Sequence, residues 1–134
     1  MNNAKQMATL TTLLTKNNFE VKVIEKNKSL IAMRKNYPRL LFQIIKSYIV
    51  VRNIKELNNN AIKETNVVLT AINDLNKSTL LSKYYLQPDN KLYVEAVIID
   101  FGNEKEFSIM LIIIKNDMKQ LLEKYRPLKK YLEK

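Results

Sequence analysis

The hydrophobic and polar positions in the first half of the chain predict one helix followed by a series of strands. Met7, Leu10 and Leu14 recur at helical spacing, which predicts an amphipathic helix over residues 3–16. Beyond it, apolar residues alternate with polar ones between short polar turns. The pattern predicts strands over residues 19–23, 30–34, 40–45 and 48–52, the last two as separate strands or as one bent strand.

The next segment predicts a helix and then a hairpin. A helix capped by Asn59 or Asn60 is indicated because apolar residues recur at intervals of three and four. The predicted stripe consists of Ile62, Thr65, Val68, Leu69, Ile72 and Leu75. After it, a turn at residues 87–90 joins strands predicted over residues 84–86 and 92–99, and an antiparallel hairpin is the simplest result.

The last predicted helix covers residues 104–126. Asn103 and Glu106 have the spacing of a capping box, and Pro127 marks the end of the helix. Its apolar stripe consists of Phe107, Met110, Leu111, Ile114, Met118, Leu121, Leu122 and Tyr125. A short tail is expected from about residue 127.

These elements predict an α+β fold with two layers. An antiparallel sheet of five to six strands carries helices on one side, in the order α-β-β-β(-β)-α-β-β-α. The 134 residues correspond to a single domain, residues 1–134, that is long enough to bury a core. We therefore expect no internal domain boundary.

Some apolar positions exceed what one packed face requires. Leu40, Phe42 and Ile44 point to one side of their strand, whereas Leu41 and Ile45 point to the other. Ile109, Ile112 and Ile113 fall outside the stripe of the last helix. Either these residues are buried inside the domain or they form a surface for self-association or for a partner. The predicted partner-binding residues are Leu41, Ile45, Ile49 and Val51 on an exposed strand face, with Ile109 and Ile113.

The composition removes several classes of chemistry. Cysteine and histidine are both absent, which excludes thiolate nucleophiles, imidazole bases and their metal sites. Glycine occurs once, at Gly102, so glycine-rich phosphate loops are excluded. Asp89 and Glu95 leave a carboxylate-only hydrolase as a remote third class. We predict no catalytic, cofactor-binding or metal-binding residues, and hence no enzyme.

Neither a signal-peptide pattern nor an apolar run of membrane-spanning length is present in the sequence. The longest apolar run, residues 109–114, falls far short of the roughly 20 residues that a spanning helix needs. We therefore expect a cytoplasmic protein without a membrane span.

The net charge is +10, and it is concentrated in the first half of the chain. Residues 1–67 carry 12 basic and 4 acidic side chains. A basic surface can attract nucleic acid, although 19 of the 23 basic residues are lysines, a bias that nucleotide composition also produces. The alternative function is therefore a nucleic-acid-binding accessory protein, and its candidate residues are Lys26, Lys28, Lys35, Arg39 and Lys46, with Tyr37 and Tyr48. Solvated turn residues would explain the same pattern.

Two segments resemble a known family. Residues 72–76 read INDLN and residues 83–95 read KYYLQPDNKLYVE. Together with the order of elements, they resemble the YbjN-type family, which shares its fold with the type III secretion chaperones. Members usually have Asp-Gly in the hairpin turn where this chain has Asp89-Asn90, and residues 1–58 match only in pattern. The resemblance implies a domain, often dimeric, that binds polypeptide segments or regulatory partners and catalyses no reaction.

The sequence thus predicts a non-enzymatic protein-binding module, either chaperone-like or a regulatory adaptor. Its partner is expected to be a protein or peptide that adds a strand to the sheet or enters a hydrophobic groove, and a homodimer is possible.

Overall fold

The computed structural model describes residues 3–123 and 126–132. Its helices are α1 (Asn3–Lys16), α2 (Asn59–Lys63), α3 (Thr65–Ser78), α4 (Glu104–Glu123) and α5 (Arg126–Leu132). Its strands are β1 (Glu20–Glu25), β2 (Ser29–Met33), β3 (Leu40–Ile45), β4 (Tyr48–Glu56), β5 (Lys83–Leu86) and β6 (Lys91–Ile98). The α+β class and the order of elements are as predicted.

The six strands form one antiparallel sheet in the order β1-β2-β3-β4-β6-β5. Strands β1 to β4 follow one another as a meander, and β6 then pairs with β4 over eight residue pairs from Ile49↔Ile98 to Glu56↔Lys91. Strand β5 is short and pairs only with β6. The sheet therefore has β1 at one edge and β5 at the other.

The turns of the meander depend on residues with positive φ. Asn27, Asn36 and Lys46 have φ values of 58°, 69° and 56°, and Asn90 in the β5–β6 hairpin has 64°. Asparagine tolerates this left-handed region better than most residues, which explains its use at three of the four turns. Lys46 and Ser47 separate β3 from β4, so the two are distinct strands.

The core lies between one face of the sheet and the helices. Leu10 and Leu14 of α1, Leu75 of α3 and Leu111 of α4 are buried in a single cluster with strand residues such as Phe42. The prediction that β3 is apolar on both faces is confirmed: Leu40, Phe42 and Ile44 are buried, whereas Leu41 and Ile45 lie half-buried on the opposite face. We call that opposite face, which no helix in the described chain covers, the open face.

The sequence assigns Ile49 and Val51 to the exposed strand face, and the structure corrects this. Both are buried in the core cluster. The cause is the register of the β3–β4 hairpin, in which Ile44 pairs with Ile49 and Phe42 with Val51. Because cross-strand partners share a face, these two residues lie on the helix side with the buried row of β3.

The helical region that follows Asn58 differs from the prediction in three respects. Its N-cap is Asn58, whose Oδ1 accepts the Asn60 amide at 3.0 Å, and not Asn59 or Asn60 as predicted. The region is broken at Glu64, where φ and ψ are −118° and 39°, into α2 and α3. Its buried face consists of Ala61, Val68, Ala71, Ile72 and Leu75. Ile62 and Leu69, expected in the core stripe, are 61% and 47% exposed.

The start of the last long helix is as predicted. The Asn103 amide donates to Glu106 Oε1 at 3.1 Å, and the Glu106 amide donates to Asn103 Oδ1 at 2.8 Å, which is a reciprocal capping box. Of the predicted stripe, Tyr125 lies outside the described residues and the Leu122 side chain is likewise not described.

Helix α5 occupies the place where the sequence predicts a tail. Leu128 and Tyr131 are fully buried there, and the Asn58 amide donates to the Tyr131 carbonyl at 2.7 Å. None of the described helices combines the length and the hydropathy needed to span a bilayer.

Candidate functional site

An apolar groove lies where β6 ends, between that strand and the first half of α4. It has a volume of about 390 Å³. Val97 and Ile99 line it from the strand, Ile109 and Ile113 from α4, and Leu81 from the loop before β5. These side chains are far from fully buried, since Ile99 is 82% exposed and Ile109 is 47% exposed. We call this feature the β6–α4 groove.

Asp117 holds the loop before β5, from which Leu81 lines the groove. Its carboxylate is buried on α4 and accepts three backbone hydrogen bonds, from Leu80 at 2.9 Å and from Leu81 and Ser82 at 2.8 Å each. In an antiparallel pair only alternate N–H groups face the neighbouring strand, so of the three amides it is that of Leu81 that would otherwise face β6, and it donates to Asp117 instead. Strand β5 consequently begins only at Lys83.

The late start of β5 leaves part of β6 with a strand neighbour on one side only. The Gln87 amide donates to the Lys91 carbonyl at 2.9 Å across the hairpin. Since antiparallel strands alternate in hydrogen-bonding direction, the N–H and C=O groups of Val97 also face the β5 side. The last β5 pair is Lys83↔Glu95, so within the described chain no strand residue is opposite Val97 on that side. An unpaired strand segment beside apolar walls is the geometry that strand addition uses.

The open face carries a polar network in its centre. Arg52 pairs with Glu95 at 3.2 Å and also donates to Gln43, while Glu95 accepts the Tyr85 hydroxyl at 2.5 Å. The Arg52 guanidinium lies 5.8 Å from the centre of the Tyr93 ring. Burial and the neighbouring Glu95 carboxylate raise the pKa of Tyr85 above its usual value. The network thus links side chains of four neighbouring strands on the open face.

The predicted partner-binding residues are not gathered in one place. Ile109 and Ile113 line the β6–α4 groove. Leu41 instead lines a separate cavity of about 240 Å³ on the open face, together with Ile31 and Ile54. Ile45 is half-buried on the same face. Ile49 and Val51 are in the core, as described above.

The residues of the nucleic-acid alternative divide between the two ends of the meander. Lys26 and Lys28 lie in the β1–β2 turn, and Lys46 and Tyr48 lie at the β3–β4 turn of the same end. Lys35, Tyr37 and Arg39 lie in the β2–β3 connection at the opposite end. Five to six strand residues separate the ends, which is roughly 17–20 Å. The seven residues thus do not form one continuous site.

Asp89 and Glu95, the two carboxylates of the carboxylate-only hydrolase alternative, are also far apart. Asp89 lies in the hairpin turn, where it accepts the Lys91 amide at 3.2 Å. Glu95 lies four residues along β6 from Lys91, about 13 Å away. Each carboxylate is engaged in local structure, and in the described part of the chain no three acidic side chains gather as a metal site would require.

The sequence patterns do not predict the roles of two structural residues. Arg52 ends the strand predicted over residues 48–52, and in the structure it lies at the centre of the network on the open face. Asp117 lies three and four residues from Ile114 and Leu121 in the apolar stripe of α4. An acidic residue at a core-facing helical position must find donors, and that signal could have identified it.

Comparison with solved structures identifies the fold. YbjN from E. coli, whose proposed role is transcription regulation, superposes with a TM-score of 0.68 over 86% of this chain and 87% of that chain, at 17% identity. This chain has a YbjN-type fold. An uncharacterized protein from Methanothermobacter thermautotrophicus superposes with a TM-score of 0.63 over 86% of this chain and 92% of its own, at 10% identity. No protein-family model matches the chain, and no curated protein matches it either.

Proposed function

We propose that this protein is a non-enzymatic, cytoplasmic binding module, chaperone-like or a regulatory adaptor, that takes an extended polypeptide segment into the β6–α4 groove. The observation that carries the proposal is the unpaired edge of β6 at Val97 beside the apolar walls of the groove. A bound segment would continue the sheet where β5 stops.

The walls of the groove indicate the residue types of the bound segment. In an extended strand, alternate side chains point in opposite directions, so every second residue of the segment would face Ile109 and Ile113. We expect apolar side chains at those positions of the segment. Asp100 and Glu106 are the charged residues that line the groove, and they would favour a lysine or arginine in the segment.

Helix α4 supplies a matched pair of positions for the test. Ile109 and Ile112 are 47% and 45% exposed, but only Ile109 lines the groove. Ile109→Asp places a charge on the wall, whereas Ile112→Asp places the same charge on the same helix outside it. Because both side chains already contact water, we expect both variants to keep the thermal stability of the parent.

The experiment is affinity capture from nuclease-treated lysate of the source cells, followed by direct titration of the captured polypeptide. We expect Ile109→Asp to weaken binding by at least about tenfold, because it buries a carboxylate against apolar atoms. Ile112→Asp should bind like the parent. Equal binding by all three proteins would contradict the proposal.

A backbone variant tests strand addition separately from apolar contact. Val97→Pro removes the one N–H that faces the unpaired side while keeping the β4 pairing of its neighbours Ala96 and Ile98. Val97→Thr keeps that N–H and serves as the control. We expect the proline variant alone to lose the polypeptide, and binding that survives it would rule out strand addition at this edge.

A further inference from the structure

We propose that the β2–β3 connection forms a second binding site, which holds the phosphate groups of a single-stranded nucleic acid. The site consists of Arg34, Lys35, Tyr37, Arg39 and Lys115, and we call it the Tyr37 corner. Its cavity has a volume of about 480 Å³ and is lined by Arg34, Lys35, Tyr37 and Arg39. The corner and the β6–α4 groove have no lining residue in common.

The Tyr37 ring holds the corner together. Its centre lies 4.9 Å from that of the Phe19 ring, which anchors it to the core. The Arg34 guanidinium carbon is 4.9 Å from the centre of the Tyr37 ring, and Lys115 Nζ, from α4, is 4.7 Å from it. The Tyr37 amide also donates to the Arg34 carbonyl at 3.0 Å, which closes the turn. The cations are therefore positioned by packing rather than free on a long loop.

The positive charge of the corner is not neutralised. Among the described residues, none of the four cations of the corner takes part in a salt bridge within 4.0 Å, whereas Lys16, Lys28 and Arg52 elsewhere all do. Glu20 is the one acidic residue that lines the cavity. Cations gathered around a single ring repel one another, and a bound anion would relieve that repulsion.

The distribution of arginine separates this site from the general abundance of lysine. The chain has four arginines. Two of them, Arg34 and Arg39, line the corner, and Arg39 also lines the adjoining cavity on the open face with Arg52. A nucleotide-composition bias explains many lysines, but it does not explain why two of the three arginines whose side chains the structure describes line one cavity. The guanidinium fork suits the paired oxygens of a phosphate.

The geometry favours the sugar-phosphate backbone over the bases. Arg34 and Lys115 already occupy the surroundings of the Tyr37 ring, so it is not a free stacking platform. Lys35 and Arg39 also line the cavity, and Arg39 lines the adjoining cavity on the open face as well. Several cations along one surface match a polymer that carries one charge per nucleotide. An acidic peptide also carries repeated charges, and the experiment below separates it from nucleic acid.

The test measures the anisotropy of a fluorescein-labelled oligothymidylate as the protein is added at several salt concentrations. Lys35→Gln and Lys26→Gln form a matched pair, because both remove one exposed turn lysine from opposite ends of the meander. We expect Lys35→Gln and Arg39→Gln each to weaken binding about fivefold near 0.1 M salt and to reduce the salt slope by about 1. Lys26→Gln should bind like the parent. Arg39→Lys should fall between the parent and Arg39→Gln, because it keeps the charge and loses the fork.

Competition with three anionic compounds shows whether the site binds a phosphodiester backbone or anions in general. An abasic phosphodiester strand should displace the probe as well as oligothymidylate does, whereas inorganic phosphate and oligoglutamate should displace it only at much higher concentrations. The proposal is overturned if oligoglutamate competes as well as the nucleic acid, if the abasic strand fails to compete, or if Lys26→Gln weakens binding as much as Lys35→Gln. Absence of binding at the lowest salt concentration would also overturn it. Ile109→Asp should leave this binding unchanged.

Discussion

The β6–α4 groove and the Tyr37 corner differ in what each leaves unsatisfied. The groove exposes apolar side chains and an unpaired strand edge, and a buried carboxylate, Asp117, shapes it. The corner carries positive charges around an aromatic ring, and none of them forms a salt bridge with a described residue. Binding at the groove would rest on backbone hydrogen bonds and apolar contact, whereas binding at the corner would rest on charge. One small sheet can thus carry two surfaces that respond to different conditions.

The largest expected effect is a loss of stability on replacing Asp117, which supports the groove and, within the described chain, forms no hydrogen bond or salt bridge with the Tyr37 corner. Asp117→Ala leaves the amides of Leu80, Leu81 and Ser82 without their acceptor. We expect the free energy of unfolding to fall by about 3 kcal/mol, because three hydrogen bonds to a buried carboxylate are lost and each costs about 1 kcal/mol or more. Urea denaturation measures this change.

The same variant tests whether the two regions are independent. Asp117→Asn retains one oxygen acceptor and should destabilise the protein less than Asp117→Ala. With either variant that remains folded, polypeptide binding should be lost and oligothymidylate binding kept. A loss of less than about 1 kcal/mol for Asp117→Ala would show that the loop before β5 has other support.

Salt should separate the two binding activities in the parent protein. Raising the salt from about 50 to about 200 mM should weaken oligothymidylate binding about fiftyfold, because each of the four cations of the corner releases about 0.7 counterion from a single strand. Polypeptide binding at the groove should change by less than about threefold, since apolar contacts and backbone hydrogen bonds are not screened. Titrations of both ligands at matched salt concentrations provide the comparison. If salt weakens the binding of both ligands equally, both bind through charge and the distinction between the two regions is wrong.

The smallest expected effect concerns Tyr84, which ties β5 to the same helix as Asp117. Its buried hydroxyl donates to the carbonyls of Asp117 at 2.6 Å and Met118 at 3.1 Å. Tyr84→Phe should lower the free energy of unfolding by about 1 kcal/mol near neutral pH. Tyr93→Phe, which removes a hydroxyl from a half-buried ring on the open face, is the control.

The contribution of Tyr84 should also depend on pH. Burial raises the pKa of Tyr84 well above its ordinary value, so the folded protein keeps this proton to higher pH than the unfolded chain does. The contribution is therefore complete below the ordinary tyrosine pKa of about 10 and declines as the pH rises above it. Denaturation at a series of alkaline pH values should show a shallower decline for Tyr84→Phe, and equal slopes would contradict the assignment.

The parts of the fold that local patterns specify were predictable. Helix α1 spans residues 3–16 as predicted, and the capping box of Asn103 and Glu106 forms as predicted. It was harder to predict which face of the sheet each strand residue occupies. Residues 49–51 read IVV, and three consecutive apolar residues do not reveal which of them face the core. Only the register across the Lys46-Ser47 turn places Ile49 and Val51 inside.

The candidate sites depended even more on tertiary structure. Ile109 and Ile113 were predicted as surplus apolar positions, but nothing local indicated that they line a groove with Val97. The cations of the nucleic-acid alternative were predicted as one group, whereas the topology of the meander separates Lys35 and Arg39 from the rest. Sequence distance alone does not indicate which turns share an end of a sheet.

By itself, the sequence determined the α+β class, the order of the elements, the absence of thiol and imidazole chemistry, and the excess of apolar and basic side chains. These properties follow from composition and from periods of two and 3.6 residues, which act over one element at a time. The tertiary structure decided where β6 is unpaired, which helix faces are buried and which cations surround Tyr37. Those features arise from contacts between residues far apart in the chain, such as Asp117 with Leu81 and Lys115 with Tyr37, and no local period encodes them.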